Sequence, residues 1–106
     1  MKEKSVRRMF RYEVPVDDQE HRHVVHGVVK KVATQEWVPG KMPVVEFWAE
    51  DITPAPNGTL LQRTFQVFGT GQPLPEKAKW RGTTDRDPAG LVWHLYEMVA
   101  EGEGDD

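Results

Sequence analysis

The sequence predicts a compact all-β domain, a sandwich or barrel of about six or seven strands. Three observations carry that reading. Several stretches alternate apolar and polar residues with a period of two, as in Phe10 to Val16 and Val44 to Ile52. Two others, Phe65 to Phe68 and Leu91 to Glu97, are dense in aromatic and β-branched side chains. Between these lie turn signals built from glycine, proline and Asn-Gly.

In the first strand, Met9 to Val16, the residues Phe10, Tyr12, Val14 and Val16 share one face, with Met9, Arg11, Glu13 and Pro15 on the other. Pro15 has no N–H to give a ladder, which places this strand at a sheet edge. From His21 to Gln35 the valines fit either period, but their density disfavours a helix. Gly27 divides the run into two strands meeting at a turn or bulge near His26-Gly27. Trp37 to Pro43 reads as a loop.

Val44 to Ile52 puts Val45, Phe47 and Ala49 on one face and Glu46, Trp48 and Glu50 on the other. A Pro- and Asn-Gly-rich loop, Thr53 to Thr59, leads to the next strand, Leu60 to Phe68, with Leu61, Arg63, Phe65 and Val67 on one side. From Gly69 to Gly90 the reading allows a short strand around Trp80 to Thr84 and a helical turn at Pro75-Glu76. Leu91 to Val99 is apolar on both faces, a central strand or a final helix.

At 106 residues the chain makes one domain, and such a domain buries about 60–70% of its unfolded surface. Four Trp, four Phe and two Tyr therefore supply much of the core. Residues 1–8 read as a flexible basic stretch, 9–100 as the β domain and 101–106 as an acidic, disordered tail. With no cysteine, disulfides, thiolate metal sites and cysteine nucleophiles are excluded. No stretch approaches the roughly 18 apolar residues of a membrane span, and no signal-peptide pattern opens the chain, so a soluble cytoplasmic protein is expected. The net charge of −3 argues mildly against a general phosphate-backbone binder.

No residue set spells out catalysis. Gly69-Thr70-Gly71 lacks the third glycine of a dinucleotide fingerprint and the Gly-Lys-Ser/Thr of a P-loop, so it reads as a strand-ending turn. His21, His23, His26 and His94 could hold a metal only by converging in space, and otherwise serve as structural or solvent-facing histidines. The single serine, Ser5, lies in no nucleophile elbow. Cofactors and metals are accordingly not expected.

Trp48 sits between two glutamates on a polar face, so it is either covered by another element or used for binding. Trp48 with Glu46 and Glu50 forms a first candidate binding patch, and Tyr12 with Arg11 a second. Arg63, set among Leu61, Phe65 and Val67, requires a carboxylate partner if buried.

The blocks F-R-Y-E-V-P-V, V-E-F-W-A, R-T-F-Q-V-F-G-T-G-Q-P-L-P and G-L-V-W-H-L-Y-E, in that order, resemble those of a family of small proteins of unknown function from actinobacteria and their phages. The resemblance spans Phe10 to Glu97, implies a phage or actinobacterial origin, and brings no catalytic residue with it. The expected function is a non-enzymatic binding module, plausible as a phage accessory protein, with a protein as partner and a monomer or homodimer as its state. Two alternatives stand beside it. One is single-stranded nucleic-acid binding, with Tyr12 or Trp48 stacking bases beside Arg11 and Lys30 or Lys31. The other is a metal-dependent or small-ligand enzyme using the histidines.

Overall fold

The alternation in the strand from Val44 decides the architecture. Val45, Phe47 and Ala49 are fully buried, while Glu46, Trp48 and Glu50 keep contact with solvent on the opposite face. The computed structural model describes residues 6–35, 38–53 and 61–99. Among them are seven strands and no helix: β1 (Val6–Pro15), β2 (His21–Val24), β3 (Val29–Thr34), β4 (Val44–Thr53), β5 (Gln62–Gly69), β6 (Ala78–Thr83) and β7 (Trp93–Met98). The expected proline-rich loop beyond Thr53, the Trp37 end of the loop before β4, the first five residues and the acidic tail lie outside the described residues.

The strands form two antiparallel sheets, β1-β4-β3 and β2-β5-β7-β6. The fold is therefore a sandwich and not a closed barrel. Its core is an aromatic column that crosses the layers. Tyr12 stacks on Phe47 with ring centroids 4.9 Å apart, and Phe47 meets Phe65 of the other sheet at 4.7 Å. Val14, Val25, Val45, Val67 and Leu95 fill in around them, and Trp93 packs against the cluster from a partly exposed position.

β1 is an edge strand, as Pro15 requires. It begins at Val6, inside the basic stretch, because Val6, Arg7 and Arg8 continue the ladder opposite Thr53, Ile52 and Asp51. β7 is a strand, and it is central, lying between β5 and β6. The two apolar faces that left a helix open are thus both covered: Leu95 is buried on one side, Met98 on the other. At Pro75-Glu76 there is a turn closed by the Ala78 N–H on the Pro75 carbonyl, not the helical turn the proline allowed. Gly71 carries the positive φ, 88°, that the strand-ending turn demands.

β2 and β3 do not pair with each other. The chain changes sheet at His26-Gly27, and Gly27 passes so close to β4 that a Cβ there would lie 1.7 Å from the Glu50 carbonyl oxygen. The layers also meet closely at Gly82 of β6, where a Cβ would lie 2.3 Å from a Val32 methyl. Two bulges adjust the facing of side chains. The register slips between Val29 and Lys31 opposite β4, and between Trp80 and Gly82 opposite β7. Each inserts one residue and reverses the alternation beyond it.

Two outcomes follow from this packing. Phe65→Ala removes the ring that joins the sheets and is expected to cost about 3–5 kcal/mol in denaturant unfolding. Gly82→Ala is expected to cost roughly 1–3 kcal/mol by overpacking. Adding Val32→Ala to the Gly82 variant should then cost little more; two independent losses would mean that Val32 does not limit the approach of the layers.

Candidate functional site

The outer face of the β1-β4-β3 sheet gathers most of the residues singled out in the sequence. Trp48 lies in register between Arg11 of β1 and Lys31 of β3. The Lys31 ammonium stands 5.7 Å from the indole centroid, within cation–π range. The bulge at Lys30 is what brings Lys31 to this face. Without the extra residue, strict alternation from Val29 would put Lys30 beside Trp48 instead.

Arg11 donates to Glu46 Oε2 at 2.5 Å and approaches Glu13 at 3.5 Å. The hydrogen bond to Glu46, then the charges of Glu46 and Glu13, raise the guanidinium pKa further. Gln35, just past the end of β3, donates to both Glu13 of β1 and Glu46 of β4, closing a network across the sheet. Glu50, two residues along β4 from Trp48, lies 3.8 Å from Arg7. The face is thus a half-buried indole in a field of alternating charge, and Trp48 is framed by cations, with no element of the described residues packed as a layer over it.

Tyr12 is on the other side of β1. It belongs to the aromatic column, and its hydroxyl donates to Asp51 Oδ2 at 3.3 Å. Burial, followed by the Asp51 charge and this hydrogen bond, raises the phenol pKa. Arg11 and Tyr12 therefore form no common patch: as adjacent strand residues they point to opposite faces, and Arg11 joins Trp48 instead.

The histidines are distributed rather than convergent. His21 lies 2.9 Å from Asp17, His23 Nε2–H donates to the Glu13 carbonyl at 2.8 Å, and His94 sits between Thr70 and Thr83 at 2.9 and 3.0 Å. No three metal-ligating side chains group together among the described residues. His26 comes nearest to a catalytic arrangement, with Nδ1 2.7 Å from Asp51 Oδ1. However, its Nε2 accepts the Leu61 N–H at 3.2 Å, which fixes the Nδ1–H tautomer and engages the lone pair that a general base would use.

The Gly69 loop is likewise spent internally. The Gly69 N–H donates to the Gln72 side chain at 2.9 Å, and the Gln72 N–H returns to the Gly69 carbonyl at 3.1 Å. A cleft of about 220 Å³ between Met42-Pro43 and Pro88-Trp93 falls below the roughly 300–1,000 Å³ of small-molecule pockets. Its carboxylate, Asp87, already accepts from the Leu91 and Ala89 N–H groups and from the Trp93 indole, and these bonds, led by Leu91, lower its pKa.

One exposed aromatic escaped the sequence reading. Trp80 is 58% exposed, more than any other large apolar side chain described except Val28. It lies on the outer face of the second sheet opposite Tyr96, its indole donating to Thr83. The signal was present in Lys79-Trp80-Arg81, an indole between two charges, but it stood in a segment whose glycines and prolines suggested little order.

Arg63 has the carboxylate it requires. Its Nε and Nη2 grip both oxygens of Glu97 at 2.9 and 2.8 Å, and its Nη1 donates to the carbonyls of Val25 and Gly27 at 3.3 and 2.6 Å. Arg81, the residue inserted by the β6 bulge, adds a bond to Glu97 at 2.9 Å. Burial pushes the Glu97 pKa up, but the two guanidinium groups outweigh it and hold the carboxyl below its ordinary value. The stability this contributes is present above the ordinary Glu pKa of about 4.3 and is lost as pH falls through the lowered value. Glu97→Gln should therefore cost about 3 kcal/mol or more at pH 7. The gap to wild type should narrow by pH 3; a gap independent of pH would mean that the charge of Glu97 contributes nothing.

No curated protein matches the chain, and no solved structure matches it. A family described as a domain of unknown function, DUF7352, matches residues 5–105. That match takes in every strand of the sandwich, and the chain belongs to this family.

Proposed function

We propose that this domain is a non-enzymatic binding module that engages a partner protein through the outer face of the β1-β4-β3 sheet. The observation that carries the reading is Trp48, a half-buried indole on a solvent-facing sheet, set between Lys31 and Arg11. Large aromatics and arginines are the side chains that most often anchor protein interfaces. The charge pattern favours a protein over a nucleic acid. A phosphate chain needs a run of cations, whereas here Arg7 and Arg11 are offset by Glu50, Glu46 and Glu13. A mixed field selects a partner with its own mixed charges.

The interior polar groups support the non-enzymatic part. Asp51, His26 and Tyr12 serve one another, and Glu97 serves two arginines. The resemblance of the four sequence blocks to those of small actinobacterial and phage proteins supports a phage accessory role in a host cytoplasm, with a host or phage macromolecule as partner.

The test compares two tryptophans. Trp48→Ala should keep the wild-type circular dichroism spectrum and melting temperature while weakening capture of a partner identified by mass about thirtyfold, the loss of a 2 kcal/mol hot spot. Trp80→Ala should capture it like wild type. If Trp48→Ala binds normally, the working surface is elsewhere; if it unfolds, Trp48 is a structural residue.

A further inference from the structure

β1 is an edge strand, and one row of its backbone groups faces no other strand among the described residues. Its hydrogen-bond direction follows from two contacts. The Val16 N–H donates to the Pro43 carbonyl at 2.9 Å, and the β1-β4 register runs unbroken from Pro15 back to Val6. In an antiparallel strand the N–H and C=O of one residue point to the same side, and the side alternates along the chain. Residues of even number thus bond to β4, and Arg7, Met9, Arg11 and Glu13 present theirs to the open edge. The second contact agrees: the Glu13 carbonyl, facing away from β4, is met by His23 from the other sheet. Pro15 takes an outward position, where its missing N–H costs β4 nothing.

The sequence of this edge is selective. An antiparallel pair of identical strands is defined by the residue on its two-fold axis. Axes at Arg7, Arg8, Met9 or Arg11 set arginine directly against arginine, which is destabilising. An axis at Tyr12 brings Pro15 into the ladder and centres the pairing on Glu13, whose carbonyl His23 already occupies. An axis at Phe10 keeps Pro15 out of the ladder and leaves the Glu13 carbonyl, which His23 meets, at the ends of the pairing, where the Glu13 N–H can still donate to Arg7, and not at its centre. It sets Arg7 opposite the Glu13 of the second copy, Met9 opposite Arg11, Val6 opposite Val14, and Phe10 opposite itself. The Met9–Arg11 pairs exchange the central backbone hydrogen bonds. The apolar side chains at this end of β1 are otherwise left to solvent, with Val6, Met9 and Phe10 at 44%, 50% and 40% exposure.

We propose that the protein forms a two-fold homodimer by antiparallel β1–β1 pairing centred on Phe10, making one continuous six-stranded sheet from two three-stranded ones. The pairing does not depend on what Trp48 binds, although it places the two Trp48 rings on a single face, roughly 16 Å apart by strand spacing and rise.

The natural absence of cysteine makes the register directly testable. Facing residues of a non-hydrogen-bonded pair have Cβ atoms about 4.5–5.5 Å apart, close enough for a disulfide with slight adjustment. Phe10→Cys should form a disulfide-linked dimer under mild oxidation. Arg8→Cys, on the same strand face but opposite Tyr12 of the second copy, should do so at least tenfold more slowly. In sedimentation equilibrium the wild-type protein should dimerise reversibly. Arg7→Glu and Glu13→Lys should each weaken the dimer about tenfold, and the two together should restore most of it. A wild-type protein that stays monomeric at millimolar concentration overturns the proposal. So does cross-linking of Arg8→Cys as fast as Phe10→Cys, or a double variant no better than the single ones.

Discussion

The grip of Arg63 on Glu97 is the interaction on which the rest of the sandwich depends. It lies between the layers, with Glu97 on the same face of its sheet as Phe65 and Leu95. One guanidinium ties β5 to β7 and, through the carbonyls of Val25 and Gly27, fixes the segment in which the chain leaves one sheet for the other. That segment has no strand partner of its own at Gly27 and passes against the β4 backbone where only glycine fits. Without Arg63, the two carbonyls would need another donor and Glu97 would keep Arg81 alone, in a place that water reaches poorly. An apolar pair of similar volume would avoid the desolvation cost of the ions, but it would not hold the crossover carbonyls. The interaction therefore specifies the path of the chain more than it adds net stability.

Much of this was legible in the sequence, and the reasons are local. The alternation of β4 separated Phe47 from Trp48 correctly because one face of the strand is buried and the other is not. Pro15 identified an edge, and Arg63 among apolar neighbours announced a carboxylate partner. What the sequence could not supply was whatever depends on long-range register. Nothing in Glu97 says that it will face Arg63 across β5 and β7. The bulge at Lys30, which decides whether Lys30 or Lys31 accompanies Trp48, is set by pairing with β4 rather than by composition. The same holds for Gly82, which the residue inserted in β6 places opposite Leu95, where it meets Val32. The helix left open at Leu91 to Val99 was an ambiguity of a central strand, whose two covered faces erase the period of two.

The candidate site was legible to the same degree and for the same reason. Trp48, Glu46, Glu50 and Arg11 share a face by simple alternation within and between two long, regular strands. Tyr12 was separated from them by one residue of β1, and its hydroxyl was drawn inward by Asp51. The division of labour is consistent throughout the molecule. Polar groups that point between the sheets are bonded to one another and shape the fold, whereas those on the outer face of the β1-β4-β3 sheet surround an indole that stays accessible.

The most direct test of the account is a double-mutant cycle on Arg63 and Glu97, read by denaturant unfolding at pH 7. Arg63→Met and Glu97→Leu should each cost about 3–5 kcal/mol, since the first leaves Glu97 with Arg81 alone and strips the crossover carbonyls of their donor, and the second leaves the Arg63 charge without its carboxylate. The combined variant should be little worse than either alone, giving a coupling of roughly 2 kcal/mol or more. Costs that simply add would show that the two residues contribute independently, and would contradict the view that their pairing organises the sandwich.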